Sequence, residues 1–305
     1  MREQALLAHI AAKTAPHPIV LVGPGDDCAV VAPSGDGRLL VTTDQVIAGR
    51  HFREGEDLTL VARKAVCRSL SDIAAMAGTP RWAVATGALP TGMSHSDAQT
   101  LTDALHAVAG AFNCPIVGGD IATTDGPLVV TVTIAGTPHP VRGPVLRSGA
   151  RPGDAVYVTG ALGGSLPSRR HLTFTPRMTE AQWLATLLGR DLHALMDVSD
   201  GLGIDAARLA TASNVALVVE AASLPRHEHV ATWQAAMSDG EDYELLFAAS
   251  QAAPVPGSCP ITGIPITRIG TAVARTQDFA NLLCAVKTPT GELIDASAMG
   301  WEHAS

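Results

Sequence analysis

Lysine is scarce in this chain: only Lys13, Lys64 and Lys287 occur in 305 residues, and the formal net charge is −8. A chain with this charge balance lacks the basic surface that nucleic-acid binding requires, so nucleic acids are excluded as partners. Arginine or metal ions must therefore supply most of the positive charge that faces any anionic ligand. Metal ions can bridge acidic side chains to phosphate.

Other absences narrow the possible classes. The five cysteines have no CxxC spacing and most lie in or beside apolar runs, which favours buried thiols in a reducing compartment. No apolar run is long enough to span a bilayer, and residues 1–15 predict a short amphipathic helix, not a signal peptide. The chain also lacks the P-loop, protein-kinase, HExxH and Ser-His-Asp signatures. We therefore expect a cytoplasmic protein without a membrane partner and with neither a P-loop nor a protein-kinase fold.

Two adjacent carboxylates, Asp26 and Asp27, follow a Gly-Pro-Gly turn and precede an apolar strand predicted over residues 28–32. Neighbouring carboxylates repel each other unless a cation lies between them or one is protonated. Oxygen ligands of this kind suit Mg²⁺ or Ca²⁺. The alternative is that both aspartates only cap a turn, and the sequence does not decide which of them would contact a metal.

Acidic residues recur along the chain, mostly at the ends of predicted elements. The recurrences are Thr42-Thr43-Asp44, Asp72, Gly118-Gly119-Asp120 and Asp197-Val198-Ser199-Asp200. Asp44 is expected to end a strand, and Gly118-Gly119-Asp120 to follow a short buried strand over residues 115–117, where α/β folds bind ligands. This repetition favours metal binding over isolated turn caps.

Asp72 lies inside a helix predicted over residues 58–77. It falls on a stripe of small and apolar side chains, where an unpaired carboxylate is costly. Either Arg68, one turn earlier, or a metal ion can be its partner, and the sequence leaves both open.

The order of predicted elements indicates an α/β (α+β) chain. Prolines and glycines cluster over residues 137–152, which predicts a junction between an N-terminal domain, residues 1–137, and a C-terminal domain, residues 138–305. Arg147 in the junction is the candidate cation for phosphate, and the alternative is an exposed linker arginine. Ser199-Asp200-Gly201 opens a predicted helix whose free N–H groups favour anions, unless Ser199 or Asp200 is merely its N-cap.

Together these features predict a metal-dependent enzyme that acts on phosphate and binds a Mg²⁺–nucleoside triphosphate. Phosphoryl transfer depends on positioning and charge neutralisation more than on covalent help from the protein. The residues alone do not identify the acceptor.

The motifs resemble those of thiamine-monophosphate kinases, a family in the superfamily of aminoimidazole-ribonucleotide synthetase and selenophosphate synthetase. The matching segments keep the family's order and are residues 25–29, 42–44, 71–76, 118–120, 197–202 and 240–246. The resemblance implies ATP-dependent phosphorylation of thiamine monophosphate to thiamine diphosphate by direct in-line transfer. It also implies a two-domain synthetase-like fold, in which the N-terminal α/β domains pair their strands into a barrel across a homodimer. The C-terminal α/β domain is then expected to have a mixed sheet with flanking helices.

The resemblance also assigns roles by position, without a covalent nucleophile. The residues implied to bind several Mg²⁺ ions are Asp26, Thr42, Thr43, Asp44, Asp72, Asp120, Asp197 and Asp200. The residues implied to contact ATP are Gly119, Asp120, Arg147 and Ser199. The residues implied to line the thiamine-phosphate pocket are His51, Glu241 and Trp301, with Trp301 against a ring.

The sequence departs from the family pattern at Ala77-Gly78, at Thr102 in place of a nucleotide-contacting tyrosine, and in a short segment over residues 163–177. Two other functions stay open. One is a superfamily member with a different acceptor, of the aminoimidazole-ribonucleotide synthetase type. The other is a Mg²⁺–nucleotide-binding module without turnover. The motifs at residues 199–201 and 241–243 favour the kinase.

Overall fold

The computed structural model describes residues 18–32, 37–276 and 282–301. The amphipathic helix predicted over residues 1–15 lies outside these ranges. Within them, no helix combines the length and the apolar character needed to cross a bilayer.

Two mixed β-sheets organise the described chain and confirm the α/β class. The first sheet contains β1 (Val20–Val22), β2 (Ala29–Val31), β3 (Leu39–Ile47), β4 (Thr79–Pro90), β5 (Ile116–Thr124) and β6 (Val129–Thr137). Its strand order is β1-β2-β3-β6-β4-β5, and β4 and β5 form its parallel pair. It is an open sheet in the described chain, so one copy alone does not form the barrel expected across a dimer.

The second sheet has seven strands in the order β13-β12-β9-β11-β7-β10-β8, with β9 and β12 parallel. Its strands are β7 (Ala155–Thr159), β8 (Leu192–Val198), β9 (Val215–Glu220), β10 (Glu244–Ala249), β11 (Ile266–Ala274), β12 (Cys284–Lys287) and β13 (Leu293–Asp295). The first sheet ends at Thr137 and the second begins at Ala155. The domain bounds of 1–137 and 138–305 stay a prediction.

Five helices flank the sheets in the described residues. They are α1 (Leu58–Ala75), α2 (His95–Ala111), α3 (Met178–Leu188), α4 (Leu202–Ser213) and α5 (Trp233–Ser238). Shorter 3₁₀ turns occur at Arg147–Gly149, Arg170–Leu172, Gly189–Asp191 and Ala221–Ser223. The helix predicted over residues 58–77 is confirmed to within two residues at its end.

Helix α1 lies between the two sheets and is buried on most of its surface. The Ser69 hydroxyl donates to the carbonyl oxygen of Val132 in the first sheet (2.8 Å). On another face of the helix, the Ser71 hydroxyl donates to the Asp197 carboxylate in the second sheet (2.6 Å). Polar side chains of α1 are therefore held where the two halves of the chain meet.

Strand β5 is longer than predicted. We expected a buried strand over residues 115–117 followed by a glycine turn, but the strand continues to Thr124 and contains Gly118-Gly119-Asp120. Parallel pairing with β4 extends through the two glycines and explains the extension. Asp44 likewise lies inside β3, not at its end.

Gly119 is required by the close approach of β5 to β4. A Cβ built on Gly119 would lie 1.7 Å from the carbonyl oxygen of Ala85, whereas a Cβ on Gly118 would meet nothing within 4 Å. Substitution at Gly119 must therefore push the two strands apart.

We expect Gly119→Ala to destabilise the pairing of β4 with β5 by about 1–3 kcal/mol, because an overpacked site shifts the backbone. Gly118→Ala, one residue away in the same strand, is the matched control and should change little. Amide hydrogen exchange of β5 measures the difference. Equal protection in the two variants would contradict this account of Gly119.

Candidate active site

Three carboxylates from distant parts of the chain meet at one point. Asp27 comes from the turn before β2, Asp72 from α1 and Asp197 from the end of β8. Each offers an oxygen atom that lies within 4.8 Å of those offered by the other two. Of the acids that the sequence marked as possible metal ligands, these three converge at one point.

Hydrogen bonds hold two of these carboxylates in place. The Thr42 hydroxyl donates to Asp72 Oδ2, and the Ser71 hydroxyl donates to Asp197 Oδ2. Arg68, the alternative partner considered for Asp72, instead reaches Asp44, with 3.3 Å between Nη2 and Oδ1. Arg68 is thus the ion-pair partner of Asp44, and the Asp72 carboxylate faces two other acids.

Burial and repulsion from neighbouring acids raise the pKa values of Asp72 and Asp197. Burial is the larger cause for Asp72 and Asp197, followed for Asp72 by the charges of Asp44 and Asp197 and for Asp197 by that of Asp27. The pKa of Asp44 is also raised, by burial, although Arg68 opposes the shift. A divalent cation reverses such shifts because it stabilises the ionised carboxylates.

The structure separates the roles of Asp26 and Asp27. Asp26 accepts hydrogen bonds from the backbone N–H groups of Asp27 (3.0 Å) and Arg147 (3.1 Å), so it holds the turn. Burial, then the charge of Asp27, raises the pKa of Asp26 to about 6. Asp27, which the resemblance left out of the metal set, is the member of the pair that lies in the cluster.

Arg147 is not an exposed linker residue. Its guanidinium donates to both oxygens of the Asp27 carboxylate, from Nε at 3.0 Å and from Nη2 at 2.8 Å, and its side chain is only 18% exposed. This arginine therefore places positive charge directly beside the carboxylate cluster.

Ser199 and Asp200 form a turn. It is held by Asp205, a residue that the sequence analysis did not single out. The Asp205 carboxylate accepts from the backbone N–H groups of Ser199 and Asp200, both at 3.0 Å. Arg208 bridges Asp200 (2.5 Å) and Asp205 (2.7 Å). Helix α4 begins after Gly201, and neither Ser199 nor Asp200 caps it. The i, i+3 spacing of Asp205 and Arg208 was the available signal.

A cavity of about 360 Å³ is lined by all three residues that the resemblance assigns to the acceptor, namely His51, Glu241 and Trp301. Ser199 and Asp200 also line it. Its other lining residues are Arg50, Arg68, Leu166, Pro167, Ser238, Asp239, Gly240 and Tyr243. Trp301 is 50% exposed, and its backbone N–H donates to the carbonyl oxygen of Asp200 (2.7 Å). The cavity therefore combines three carboxylates, those of Asp200, Asp239 and Glu241, with one accessible indole and the turn that follows β8.

Glu241 is ionised in this cavity wall. Burial alone would raise its pKa, but the charges of Lys64 and Arg68 outweigh burial and lower it. The Tyr243 hydroxyl donates to Glu241 Oε2 (3.1 Å). The carboxylate is paired with Lys64, 2.6 Å from Oε2, and this pair offers an ionised acceptor to a cationic ligand in the cavity.

Asp120 does not join the carboxylate cluster within one chain. The strand register places Asp120 in one row with Thr86, Thr131 and Gln45, on one face of the first sheet. On that face, Gln45 Nε2 donates to Thr131 Oγ1 (3.1 Å). Asp44 belongs to the adjacent row, with the buried Val132, and so faces the helices. Asp120 is also on the edge strand, three strands away from β3.

Thr43 shares the open face with Asp120, since its hydroxyl contacts that of Thr133 (2.9 Å). Thr42 points to the opposite face, towards Asp72. The metal ligands implied by the resemblance are therefore divided between two faces of the first sheet.

A second cavity, of about 600 Å³, lies between α2 and β5. Its lining includes Gly119 and Asp120 from the strand and Thr102, Leu101 and Leu105 from the helix. Two of the four residues implied to contact ATP are thus beside a largely apolar cavity, and Thr102 lies in its wall.

Comparison with known proteins shows similarity over nearly the whole chain. Residues 25–137 match the family described as AIR synthase related protein, N-terminal domain. The chain is 38% identical over 291 residues to a thiamine-monophosphate kinase of Rhodopirellula baltica, covering 90% of each chain. It is 32% identical over 316 residues to the enzyme of that name from Escherichia coli strain K12, covering 93% and 92%.

A solved structure described as AaThiL complexed with AMPPCP and TMP superposes with a TM-score of 0.81 at 27% identity, covering 100% of this chain and 99% of the other. Both the fold and the identity to curated relatives extend over nearly the whole length. The chain belongs to the thiamine-monophosphate kinase family.

Proposed function

We propose that this chain transfers the terminal phosphoryl group of ATP to thiamine monophosphate and so forms thiamine diphosphate, in a single in-line step without a phosphoenzyme. The observation that carries the proposal is the position of the acceptor cavity. It is bounded by Ser199 and Asp200, which lie two and three residues after Asp197 of the carboxylate cluster. An acceptor in the cavity would have its phosphate close to the acids that handle the metal-bound nucleotide.

The cavity chemistry suits thiamine monophosphate. Its thiazolium ring is a cation, and the ionised Glu241 carboxylate favours a cation at this wall. The accessible indole of Trp301 offers an aromatic face to a ring. These residues would bind and orient the acceptor, which is the main contribution a protein makes to phosphoryl transfer.

The donor set fits Mg²⁺, which prefers carboxylate oxygens. Asp27, Asp72 and Asp197 would hold it, with Thr42, Asp44 and Asp200 nearby as further candidates. When bound, Mg²⁺ would neutralise phosphate charge and align the transferred group. Arg147 would act beside it by keeping Asp27 oriented towards the cluster and adding positive charge for phosphate.

We also propose a homodimer in which Asp120, Gly119 and Thr43 act across the interface. Edge strand β5 has an unpaired edge in the described chain and exposes Val117 (64%) and Ile121 (65%). Exposed edges of this kind are normally covered by pairing. Pairing between first sheets of two copies would allow Asp120 to reach a site that it cannot reach in its own chain. A cytoplasmic location is consistent with five free, buried cysteines.

The purified chain, incubated with ATP, Mg²⁺ and thiamine monophosphate, should produce thiamine diphosphate and ADP in equal amounts, measured by chromatography. ADP without thiamine diphosphate would indicate a different acceptor. Nucleotide binding without ADP formation would indicate a module without turnover. Either result would overturn the proposed reaction.

We expect Mg²⁺ to stabilise the wild-type chain more at pH 8 than at pH 5.5. The pKa of Asp72 in the folded chain is raised above 3.8. The protonated carboxyl group therefore stabilises the folded chain at low pH, and this contribution is lost as the pH rises through the folded-state pKa. Bound Mg²⁺ would then take the place of the lost proton. Asp72→Asn should raise the metal-free unfolding temperature at pH 8 by about 2–4 °C for each kcal/mol of relieved repulsion. It should also weaken the Mg²⁺ effect.

The exposed helical aspartate variant Asp103→Asn is the control for this experiment and should behave as wild type. Thermal unfolding with and without Mg²⁺ provides the measurement. An undiminished Mg²⁺ effect in Asp72→Asn would contradict the assignment of the metal to this cluster.

Asp44→Asn and Asp120→Asn should each abolish turnover while the chain remains folded, because each removes ligand charge. If the two residues serve one site from different chains, a mixed dimer of the variants regains one complete site. Mixing equal amounts should then restore about a quarter of the wild-type activity, as symmetry requires for random pairing. If activity did not recover after confirmed subunit exchange, both residues would belong to the site of the same chain. A near-normal rate of either variant at saturating Mg²⁺ would reject the role of the substituted aspartate as a metal ligand.

A further inference from the structure

Lys64 is a completely buried ammonium group in the middle of α1, with 0% exposure. Its Nζ lies 2.7 Å from the His51 carbonyl oxygen, 2.9 Å from His171 Nδ1 and 2.6 Å from Glu241 Oε2. An ammonium group has three N–H donors, so these three acceptors satisfy it fully. Complete satisfaction of a buried charge indicates a defined geometry rather than an incidental contact.

The three acceptors belong to three separate segments around the acceptor cavity. His51 lies in the loop after β3, His171 in the 3₁₀ turn Arg170–Leu172 and Glu241 in the turn before β10. His51 and Glu241 line the cavity, whereas Lys64 does not. The ammonium therefore lies behind the cavity wall and cannot be a direct ligand of the acceptor in this arrangement.

The turn that carries Glu241 needs external support. Glu241 and Tyr243 both have positive φ values, 65° and 53°, which are unfavourable for residues other than glycine. Their backbone N–H groups donate to Ser199 O (2.6 Å) and Val198 O (2.8 Å), which fixes the backbone. These bonds leave the direction of the Glu241 side chain to be set by its own partners, Lys64 and the Tyr243 hydroxyl.

A neighbouring ion pair braces the same turn. Arg170 Nη2 lies 2.5 Å from Asp242 Oδ1, and the Phe174 and Tyr243 rings stack with centroids 3.9 Å apart. The segment over residues 163–177, shorter than the family pattern, therefore packs directly against the Glu241 turn and delivers His171 to Lys64. Burial, then the charge of Lys64, lowers the pKa of His171 to about 4, so His171 is neutral and can accept from the ammonium.

A buried ion pair is a poor source of stability, because desolvation of the two charges offsets their attraction. An apolar residue would fill the same position on a helix whose other buried residues are mostly small or apolar. Lys64 is thus better explained by what it does to Glu241 than by what it adds to the free energy of folding.

We propose that Lys64 is a positioning residue for the acceptor: it fixes the Glu241 carboxylate so that the cavity presents a negative charge to the cationic ring. The inference rests on the proposed function, because it assigns to Glu241 a cationic substrate. It predicts that loss of the ammonium weakens use of the acceptor and leaves use of the nucleotide largely unchanged.

The first test is Lys64→Met, which keeps the side-chain length and removes the charge. We expect kcat/KM for thiamine monophosphate to fall roughly 10- to 100-fold, mainly through KM, as for the loss of a charged hydrogen bond. KM for ATP should change less than about twofold, within the variation of surface substitutions. The matched control is Lys287→Met, an exposed lysine paired with exposed Glu220 at 3.3 Å, which should leave both constants unchanged.

Lys64→Met removes the ammonium from a carboxylate that is only 19% exposed and leaves it the Tyr243 hydroxyl as a donor, so this variant can fail to fold. The second test therefore starts from Glu241→Gln, whose side chain is neutral, and adds Lys64→Met to it. If Lys64 acts through Glu241, the double variant should have nearly the same kcat/KM for thiamine monophosphate as Glu241→Gln alone. A further loss of tenfold or more, or equal losses for ATP and acceptor, would assign Lys64 a general structural role and overturn the inference.

Binding of thiamine monophosphate without ATP, measured by calorimetry on the same proteins, separates this inference from the proposed function. A wild-type chain that binds the acceptor but forms no thiamine diphosphate would overturn the proposed reaction alone. Lys64 is then judged by affinity: weaker binding in Lys64→Met supports its role. Equal affinities of folded Lys64→Met and wild type, or no binding in either, would overturn it.

Discussion

Repulsion among buried carboxylates is the constraint on which this site depends. A turn, a helix and a strand from separate parts of the chain bring Asp27, Asp72 and Asp197 together. Burial of Asp72 and Asp197 in the folded protein makes their ionised forms unfavourable. Arg147 compensates one of them, and hydroxyl donors satisfy the other two. The remaining excess of negative charge is what makes the cluster suitable for a divalent cation, and it also sets a limit on the stability of the metal-free chain.

Helix α1 connects this cluster to the acceptor cavity. Lys64, Arg68 and Asp72 are spaced four residues apart and so follow one face of the helix. Along that face, Lys64 contacts Glu241, Arg68 contacts Asp44, and Asp72 meets the carboxylate cluster. A single rigid helix therefore sets the distance between the group that would recognise the acceptor and the groups that would handle the nucleotide, which favours precise alignment.

The sequence predicted the local features of this protein better than its long-range ones. Helix α1 follows from apolar periodicity, and Asp72 is recognisable as a functional candidate because a carboxylate on an apolar stripe needs a partner. The length of β5 was missed, because pairing with β4 continues through glycines that by themselves indicate a turn. Asp120 was placed with the other acids, but sheet register, which no local pattern encodes, turns it to the opposite face.

Two important side chains escaped the sequence analysis for a related reason. Asp205 and Lys64 lie inside amphipathic helices, where a charged residue ordinarily faces solvent. Only the packing of other segments over those helices reveals that both are buried and fully hydrogen-bonded. For Arg147, the sequence proposed a cation for phosphate, and that role stays a prediction. Its salt bridge to Asp27 could not be predicted, because it depends on a contact between parts of the chain far apart in sequence.

The position of Trp301 has a consequence for the order in which the chain matures. The indole side of the acceptor cavity comes from a residue translated long after Asp27, Asp72 and Asp197. During synthesis, domains fold from the N-terminal side as they emerge. Asp27 and Asp72 can therefore reach their places first, but Asp197 is on β8, which pairs with β10 (Glu244–Ala249). The carboxylate cluster and the indole side of the cavity are thus completed together, once the second sheet has formed.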